Sequence, residues 1–317
     1  MIKKSLEQLF EAMYHGKYDF SDFIEGEIVS NFEMFEIHGR KIYKPNIKLK
    51  KYHDFLTLFI FENFRINLQA VYSYRKGVNV YDAVSKHAKS KYFFQTDIVN
   101  FFNSIDVDIV RKIFLDNLDV MPVGDAEAYM ERIFDLVTVD GMLPVGFSTS
   151  PIISNACLFE FDEILYKYCE ENNIVYTRYA DDIIISSVDK DGLVGIFDFV
   201  ERILFDTFDG KFKLHQGKTK FTHIGLKVKL LGMVILQNGT ISVDAKLKNK
   251  IEVMLYFYVS DRAKFLELAE SDFSTEMAKM SGYLGYVNTI DKNYLNKLRK
   301  KYGATVVDIF LHYSPGK

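Results

Sequence analysis

The tetrapeptide Tyr179-Ala180-Asp181-Asp182 constrains this chain more than any other stretch, because two adjacent carboxylates stand between two runs that read as strands. Ile174-Val175-Tyr176-Thr177-Arg178 precedes them and Ile183-Ile184-Ile185-Ser186-Ser187 follows, both rich in β-branched and aromatic residues. The pattern predicts a β-hairpin with the Asp pair at its turn. Carboxylates fixed side by side on rigid strands repel one another unless cations neutralise them. Hard cations that prefer oxygen ligands, Mg2+ above all, meet that need, and two-metal phosphoryl transfer requires such an arrangement. Asp is also frequent in ordinary turns, so the reading depends on whether the other parts of such a site follow in workable order.

One such part is a third carboxylate facing the pair from a neighbouring strand. Asp97 qualifies: it ends the apolar run Tyr92-Phe93-Phe94-Gln95-Thr96 and precedes Ile98-Val99-Asn100-Phe101-Phe102. The competing role for Asp97 is to cap the following segment. A bulky ring shortly after a metal-binding Asp can pack under the sugar of an incoming nucleotide and clash with a 2′-hydroxyl. Phe102 fits that role, which implies DNA synthesis, and Phe101 is then expected in the core.

The net charge of −3 excludes an indiscriminate nucleic-acid coat but leaves room for a local basic channel. Arg40, Lys41, Lys44, Lys48, Lys50 and Lys51 occur with no acid among them, and Lys297, Arg299, Lys300 and Lys301 form a second cluster. Either cluster alone reads as a solvated face; two flanking an acidic centre suit a polymerase. The 28 Phe and 20 Tyr are expected mostly in cores, with a smaller share free to stack on bases. Cys157 and Cys169, expected on one helix, make no metal-ligand pattern and read as buried thiols in a reducing compartment. The N-terminus is charged where a signal peptide needs an apolar stretch, and runs such as Phe55–Phe61 are too short to span a bilayer. A cytoplasmic protein with no membrane partner is expected.

Periodicity predicts helix over 1–36, a short strand over 37–46 ended by Pro45, helix over 47–70, a strand over 91–97 and helix near 107–136. Ser150 as N-cap with Pro151 in the first turn predicts a helix to about Glu171. After the hairpin come a helix over about 190–208, two strands (221–228 and 230–236) and largely helix from 245. Strands mixed with helices on one side indicate an α+β fold rather than a doubly wound parallel sheet.

Arg40–Pro45, Tyr72–Gly77, Asp97–Ile105, Leu143–Pro151 through Asn155, Tyr179–Asp182, Lys218-Thr219, Leu231–Ile235 and Gly282–Tyr286 with Lys300–Gly303 come in one order. In that order, over nearly the whole chain, they resemble a reverse transcriptase of the bacterial retron and defence-associated (abortive-infection-like) groups. The resemblance implies a right-hand polymerase. Fingers fall at 1–90 with part of 107–142, a palm with an antiparallel sheet at 91–106 and 143–238, and a helical thumb at 239–317. It further implies an RNA-directed DNA polymerase in which Asp97, Asp181 and Asp182, with Ile98, hold two Mg2+ ions, Mn2+ being a substitute. Arg40 with Lys41 would offset triphosphate charge, Val145 and Gly146 would bed template and incoming nucleotide, and Lys218 would act on the leaving pyrophosphate. The implied partners are a non-coding RNA as template or scaffold, dNTPs, the DNA product and a separately encoded effector protein, in anti-phage defence.

The chain departs from the pattern at three places. Val145 replaces the Gln of Leu-Pro-Gln-Gly, removing an amide near the nucleotide sugar. Ala83 stands at the Asn position of an Asn-Ala-x-x-His element whose His is His87, and Leu230-Leu231-Gly232 replaces Val-Thr-Gly. His87 is expected to be structural. These departures point toward another defence lineage than retrons proper and leave open template-independent or protein-primed DNA synthesis. The contrasting reading is an idle RNA-binding scaffold, against which three mutually repelling acids stand.

Overall fold

Ser5 and Gln8 cap the first helix reciprocally, each side chain accepting the other's backbone N–H, and comparable local devices delimit many later elements. The computed structural model describes residues 3–268 and 272–313. In chain order it contains α1 (Leu6–Tyr14), α2 (Phe20–Glu25), β1 (Phe32–Ile37), β2 (Arg40–Pro45), α3 (Ile47–Phe59), α4 (Val80–Lys86), β3 (Tyr92–Asp97), α5 (Val107–Asp116), α6 (Met130–Val137), α7 (Ser150–Cys157) and α8 (Phe159–Glu171). There follow β4 (Val175–Tyr179), β5 (Asp182–Ser187), α9 (Ile196–Phe208), β6 (Lys220–His223), β7 (Val228–Leu230), β8 (Met233–Ile235), β9 (Ile241–Val243), α10 (Ala245–Ser260), α11 (Arg262–Leu268), α12 (Phe273–Ile290), α13 (Lys292–Tyr302) and α14 (Ala304–Leu311).

Taken over the described residues, the chain divides into two compact units, the first made of Met1–Asn79, Phe94–Ile185 and Asp191–Lys220. An aromatic cluster anchors it: Phe10 of α1, Phe23 of α2 and Phe55 of α3 are fully buried, with ring centroids 5.1–5.6 Å apart. Each contributes on the order of 1.5–3 kcal/mol by leaving water. Strands β1 and β2 pair antiparallel from Phe32↔Pro45 to Ile37↔Arg40. His38 and Gly39 close them at φ 50° and 74°, as a twist-matched two-residue hairpin loop requires. Buried Phe147 packs its ring 5.7 Å from Phe32 and 4.7 Å from His53, tying the base of this hairpin and α3 to the loop before α7. A four-stranded sheet runs in the order β4-β5-β3-β6. Its inner strands β3 and β5 are buried almost throughout, which is why they read as continuous apolar runs rather than alternating ones.

The second unit comprises Val80–Phe93, Ser186–Lys190 and Phe221–Lys317. It holds the antiparallel sheet β7-β8-β9 and the C-terminal helices. Met277, Met280, Leu284 and Val287 recur at helical spacing on α12 and are buried where it meets α10, α13 and α14. Among the described residues no helix is long and apolar enough to cross a membrane.

Several expectations are corrected. The helix expected over 47–70 ends at Phe59 with only the 3-10 turn Phe61–Asn63 beyond it, and the helix near 107–136 is interrupted between Asp116 and Met130. Residues 32–36, expected in the helix over 1–36, belong with Ile37 to strand β1, because they pair across a His-Gly turn that is a weak hairpin signal in sequence. Thr149, not Ser150, is the N-cap residue, because the Ser150 hydroxyl donates to the Pro144 carbonyl at 2.7 Å instead. The predicted long helix breaks at Leu158, so Cys157 and Cys169 lie on successive helices, both buried. The two strands expected over 221–236 are β6, β7 and β8. The 231–232 turn that separates β7 from β8 carries both residues at positive φ (47° and 86°).

Candidate active site

Strand β3 delivers Asp97 at its C-terminal end, 5% exposed. The segment after α9 runs alongside it: His215 N–H donates to Asp97 O at 2.8 Å, Val99 N–H donates to Lys213 O at 2.9 Å, and Ile98 bridges Leu214. That pairing places Lys218, whose Nζ lies 2.6 Å from Asp97 Oδ2, and Thr219, whose hydroxyl meets that of Thr96 at 2.7 Å. Asp97 Oδ1 is buried with no hydrogen-bond partner among the described residues.

The β4–β5 hairpin supplies the other two carboxylates. Ala180 and Asp181 form its loop, and Ala180 sits at φ 56°, a left-handed conformation that costs a residue with a Cβ roughly 1–2 kcal/mol. Partial burial, then the charges of Asp181 and Asp97, push the Asp182 carboxyl up to about 6, with Lys218 opposing. Burial chiefly, with the Asp97 charge adding, raises Asp181 as well, and Lys218 and Arg40 work against the rise. The three acids, Lys218 and Arg40 therefore share one electrostatic neighbourhood. Lys218 is itself held charged by its bond to Asp97.

Among the described residues, no group of three or more His, Cys, Asp or Glu side chains is placed to hold a metal ion. The carboxylates nonetheless suit a hard divalent cation: all donors are oxygens, the charges of Asp181 and Asp97 oppose ionisation of Asp182, and Asp97 Oδ1 is a buried acceptor without a hydrogen-bond partner among the described residues. Lys218 supplies the positive charge on Asp97 in this conformation.

The remaining expected site residues are placed as follows. Arg40 and Lys41 lie exposed at the tip of the β1–β2 hairpin. Val145 accepts the Tyr43 N–H at 2.8 Å through its carbonyl. Gly146, at φ 110°, packs so closely on β2 that an added Cβ would come within 2.3 Å of Tyr43 O. Phe102 begins the 3-10 turn Phe102–Ser104 and is partly exposed, whereas Phe101 is buried against Phe212 at 5.6 Å. Ile98 is buried directly after Asp97. Arg40, Lys41, Lys44 and Lys50 are exposed and make no ion pair among the described residues, while Lys48 and Lys51 pair with Asp22 and Asp54. In the second cluster, Arg299 and Lys301 are taken up by Asp308 and Glu252. His87 is fully buried with Nδ1 2.6 Å from Ser186 Oγ, and burial pushes its pKa down to about 3, as a structural residue requires.

Sequence reasoning missed a buried polar frame behind the hairpin. Arg178 and Asp162 are both 0% exposed and paired, Arg178 Nη2 to Asp162 Oδ2 at 2.6 Å and Nε to Oδ1 at 2.8 Å. Tyr176 OH donates to Asp162 Oδ1 at 2.6 Å. Arg178 Nη1 donates to Ala180 O at 2.8 Å, and Ser73 Oγ accepts the Ala180 N–H at 2.8 Å. Asn155 joins the two halves, taking bonds from Ser73 and Arg178 and returning one to Ser73 O. A signal existed: Asp162 falls on the apolar stripe of α8 with Leu165 and Cys169, where an acid needs a buried partner.

Residues 38–235 match the family described as reverse transcriptase (RNA-dependent DNA polymerase). Similarity extends to the retron Ec83 reverse transcriptase of Escherichia coli, 24% identical over 94% of this chain and 95% of that protein. The retron Ec73 reverse transcriptase of Escherichia coli is 29% identical over 83% of each chain. Among solved structures, apo telomerase from Candida tropicalis superposes with a TM-score of 0.51 at 13% identity over 88% of this chain, which spans only 58% of the telomerase chain. That likeness concerns the fold.

Proposed function

The chain belongs to the reverse transcriptase (RNA-dependent DNA polymerase) family, and from that premise we propose that it copies a structured non-coding RNA into DNA at Asp97, Asp181 and Asp182. One observation supports the assignment of the site: neighbouring strands β3 and β5 bring Asp97 beside the Asp181-Asp182 pair, Lys218 lodges on Asp97 at 2.6 Å, and the Asp97 charge helps raise the carboxyls of Asp181 and Asp182. Such mutual repulsion is tolerated where a cationic substrate complex relieves it. Asp97, the position of Ile98, Asp181 and Asp182 would hold two Mg2+ ions, or Mn2+ in their place. When bound, these supply activation of the primer hydroxyl and charge compensation at the phosphates. Arg40 and Lys41 offset the triphosphate charge, Val145 and Gly146 shape the bed of the incoming nucleotide, and Lys218 neutralises or protonates the leaving pyrophosphate. We assign fingers to 1–90 with part of 107–142, palm to 91–106 and 143–238, and thumb to 239–317. The enzyme is proposed to act in the cytoplasm, in anti-phage defence with a separately encoded effector. Protection of cells from phage by the wild-type gene but not by its Asp181→Asn form tests that role.

Sequencing the nucleic acid that co-purifies from cells tests the substrate: one discrete structured RNA, with DNA complementary to part of it, is expected. A random RNA population without complementary DNA overturns the non-coding RNA assignment. Val145 supports a second reading, DNA synthesis without a template, because no side-chain amide is offered where the resemblance places one. Omitting RNA from the reaction separates the two.

Phe102→Ala should admit ribonucleotides, lowering discrimination against rNTPs by roughly 10–10²-fold. Single-nucleotide incorporation kinetics with dGTP and rGTP measure it, and a variant as selective as wild type places the sugar gate elsewhere. The Mg2+ requirement should depend on pH. Below about 6 the Asp182 carboxyl is protonated and uncharged, so a proton competes with the cation. Relative to pH 8, the half-saturating Mg2+ concentration should rise about twofold at pH 6 and about tenfold at pH 5. A requirement that stays flat over this range contradicts the carboxylate's part in binding.

A further inference from the structure

We infer that Ser73 and Arg178 are positioning residues that clamp the strained Ala180 peptide and thereby fix where Asp181 and Asp182 present their carboxylates. The inference rests on the reading of Asp181 as a residue of the reacting centre. Ala180 is the residue immediately before the Asp pair, and its φ of 56° is one that L residues avoid. Left alone, such a turn relaxes toward conformations that rotate the following residue. Here both of its polar backbone groups are held by side chains from outside the turn. Ser73 Oγ accepts the Ala180 N–H at 2.8 Å, and Arg178 Nη1 donates to the Ala180 carbonyl at 2.8 Å.

Each clamp is itself locked. The Ser73 hydroxyl has a fixed proton direction because it donates to Asn155 Oδ1 at 3.0 Å, while Asn155 Nδ2 donates to Ser73 O at 2.7 Å. Arg178 has every nitrogen engaged: Nε and Nη2 on Asp162, Nη2 also on Asn155 O at 3.2 Å, and Nη1 on Asn155 Oδ1 at 3.3 Å and Ala180 O. The bonds therefore close a ring, from Ala180 N–H through Ser73, Asn155 and Arg178 back to Ala180 C=O. Backbone bonds fix its ends: Arg178 N–H donates to Ala70 O at 2.7 Å and Tyr72 N–H to Arg178 O at 3.0 Å. Ser73, Arg178 and Asp162 are fully buried, so bulk water does not reach these bonds. A frame of this kind, buried and fully satisfied, suits a hairpin whose carboxylates must hold still while repelling one another.

The test compares Ser73→Ala with wild type and Asp181→Asn in RNA-templated primer extension, at a temperature where circular dichroism shows each protein folded. Ser73→Ala should lower kcat by at least about tenfold with the dNTP KM within about twofold, because a displaced reacting group costs rate rather than nucleotide affinity. Ala180→Gly added to Ser73→Ala should restore at least about threefold of that loss, since Gly holds a positive φ without a clamp. If Ser73→Ala does not fold, Ser73→Cys fills the same space with a weak acceptor and should show the same loss in kcat. A folded Ser73→Ala or Ser73→Cys protein with kcat within twofold of wild type, a loss confined to KM, or a loss that Ala180→Gly leaves unrelieved overturns the inference. Should Asp181→Asn prove as active as wild type, the underlying reading of the site falls instead.

Discussion

Asp181→Asn is expected to abolish dNTP incorporation, lowering kcat by at least about 10³-fold, while leaving the protein folded and no less stable. The change removes one charge and keeps the shape of the side chain. The direction of the stability effect follows from the raised pKa of Asp181. A carboxyl whose folded pKa lies above its unfolded value is held at a cost when ionised, so at neutral pH the folded state gains by losing that charge. Activity and stability should therefore move in opposite directions, as residues kept for chemistry rather than folding do. Asp97→Asn should be equally inactive but lacks this compensation, because it also removes the partner of Lys218. Primer extension and urea unfolding of the same preparations check both statements. An Asp181→Asn enzyme with near-wild-type incorporation would show that the reacting centre lies elsewhere.

Asp162→Ala is expected to destabilise the fold by about 3–5 kcal/mol, although the residue touches neither substrate nor the Asp pair. Arg178 would keep a guanidinium with 0% exposure and lose its paired carboxylate, and Tyr176 OH would lose its acceptor. An uncompensated buried charge is among the most costly local defects a core can carry. The paired replacement Asp162→Leu with Arg178→Met should recover much of the stability, because removing both charges also removes their desolvation cost. Recovery of stability without recovery of kcat is the expected signature of a frame whose value lies in placement. Urea unfolding monitored by tyrosine fluorescence measures the stabilities and primer extension measures kcat; a loss below about 1 kcal/mol for Asp162→Ala contradicts the account.

Much of the site was legible because its signals are local. A carboxylate at the end of an apolar strand, an Asp pair beside a hairpin turn and a ring soon after the first Asp can each be read within a few residues, and α+β mixing follows from their spacing. The frame behind the hairpin was not legible in the same way. Ser73, Asn155, Asp162 and Arg178 come from separate segments, and only tertiary contact reveals that they close one ring. Arg178 looked like one more residue of a strand flank. Boundaries failed where competing bonds decided them: Ser150 gave its hydroxyl to Pro144 rather than to a helix end, and β1 depended on a partner across a His-Gly turn. The departures at Val145, Ala83 and Leu230-Leu231-Gly232 pointed away from retrons, yet the similarity over most of the chain is to retron reverse transcriptases.

Extension of a DNA primer on a defined RNA of mixed sequence, with Mg2+ and all four dNTPs, followed by sequencing of the product, tests the central claim most directly. The account predicts DNA complementary to the RNA, base for base, from the wild-type protein and none from Asp181→Asn. DNA whose sequence is indifferent to the RNA supplied, or product formed equally by Asp181→Asn, would contradict it.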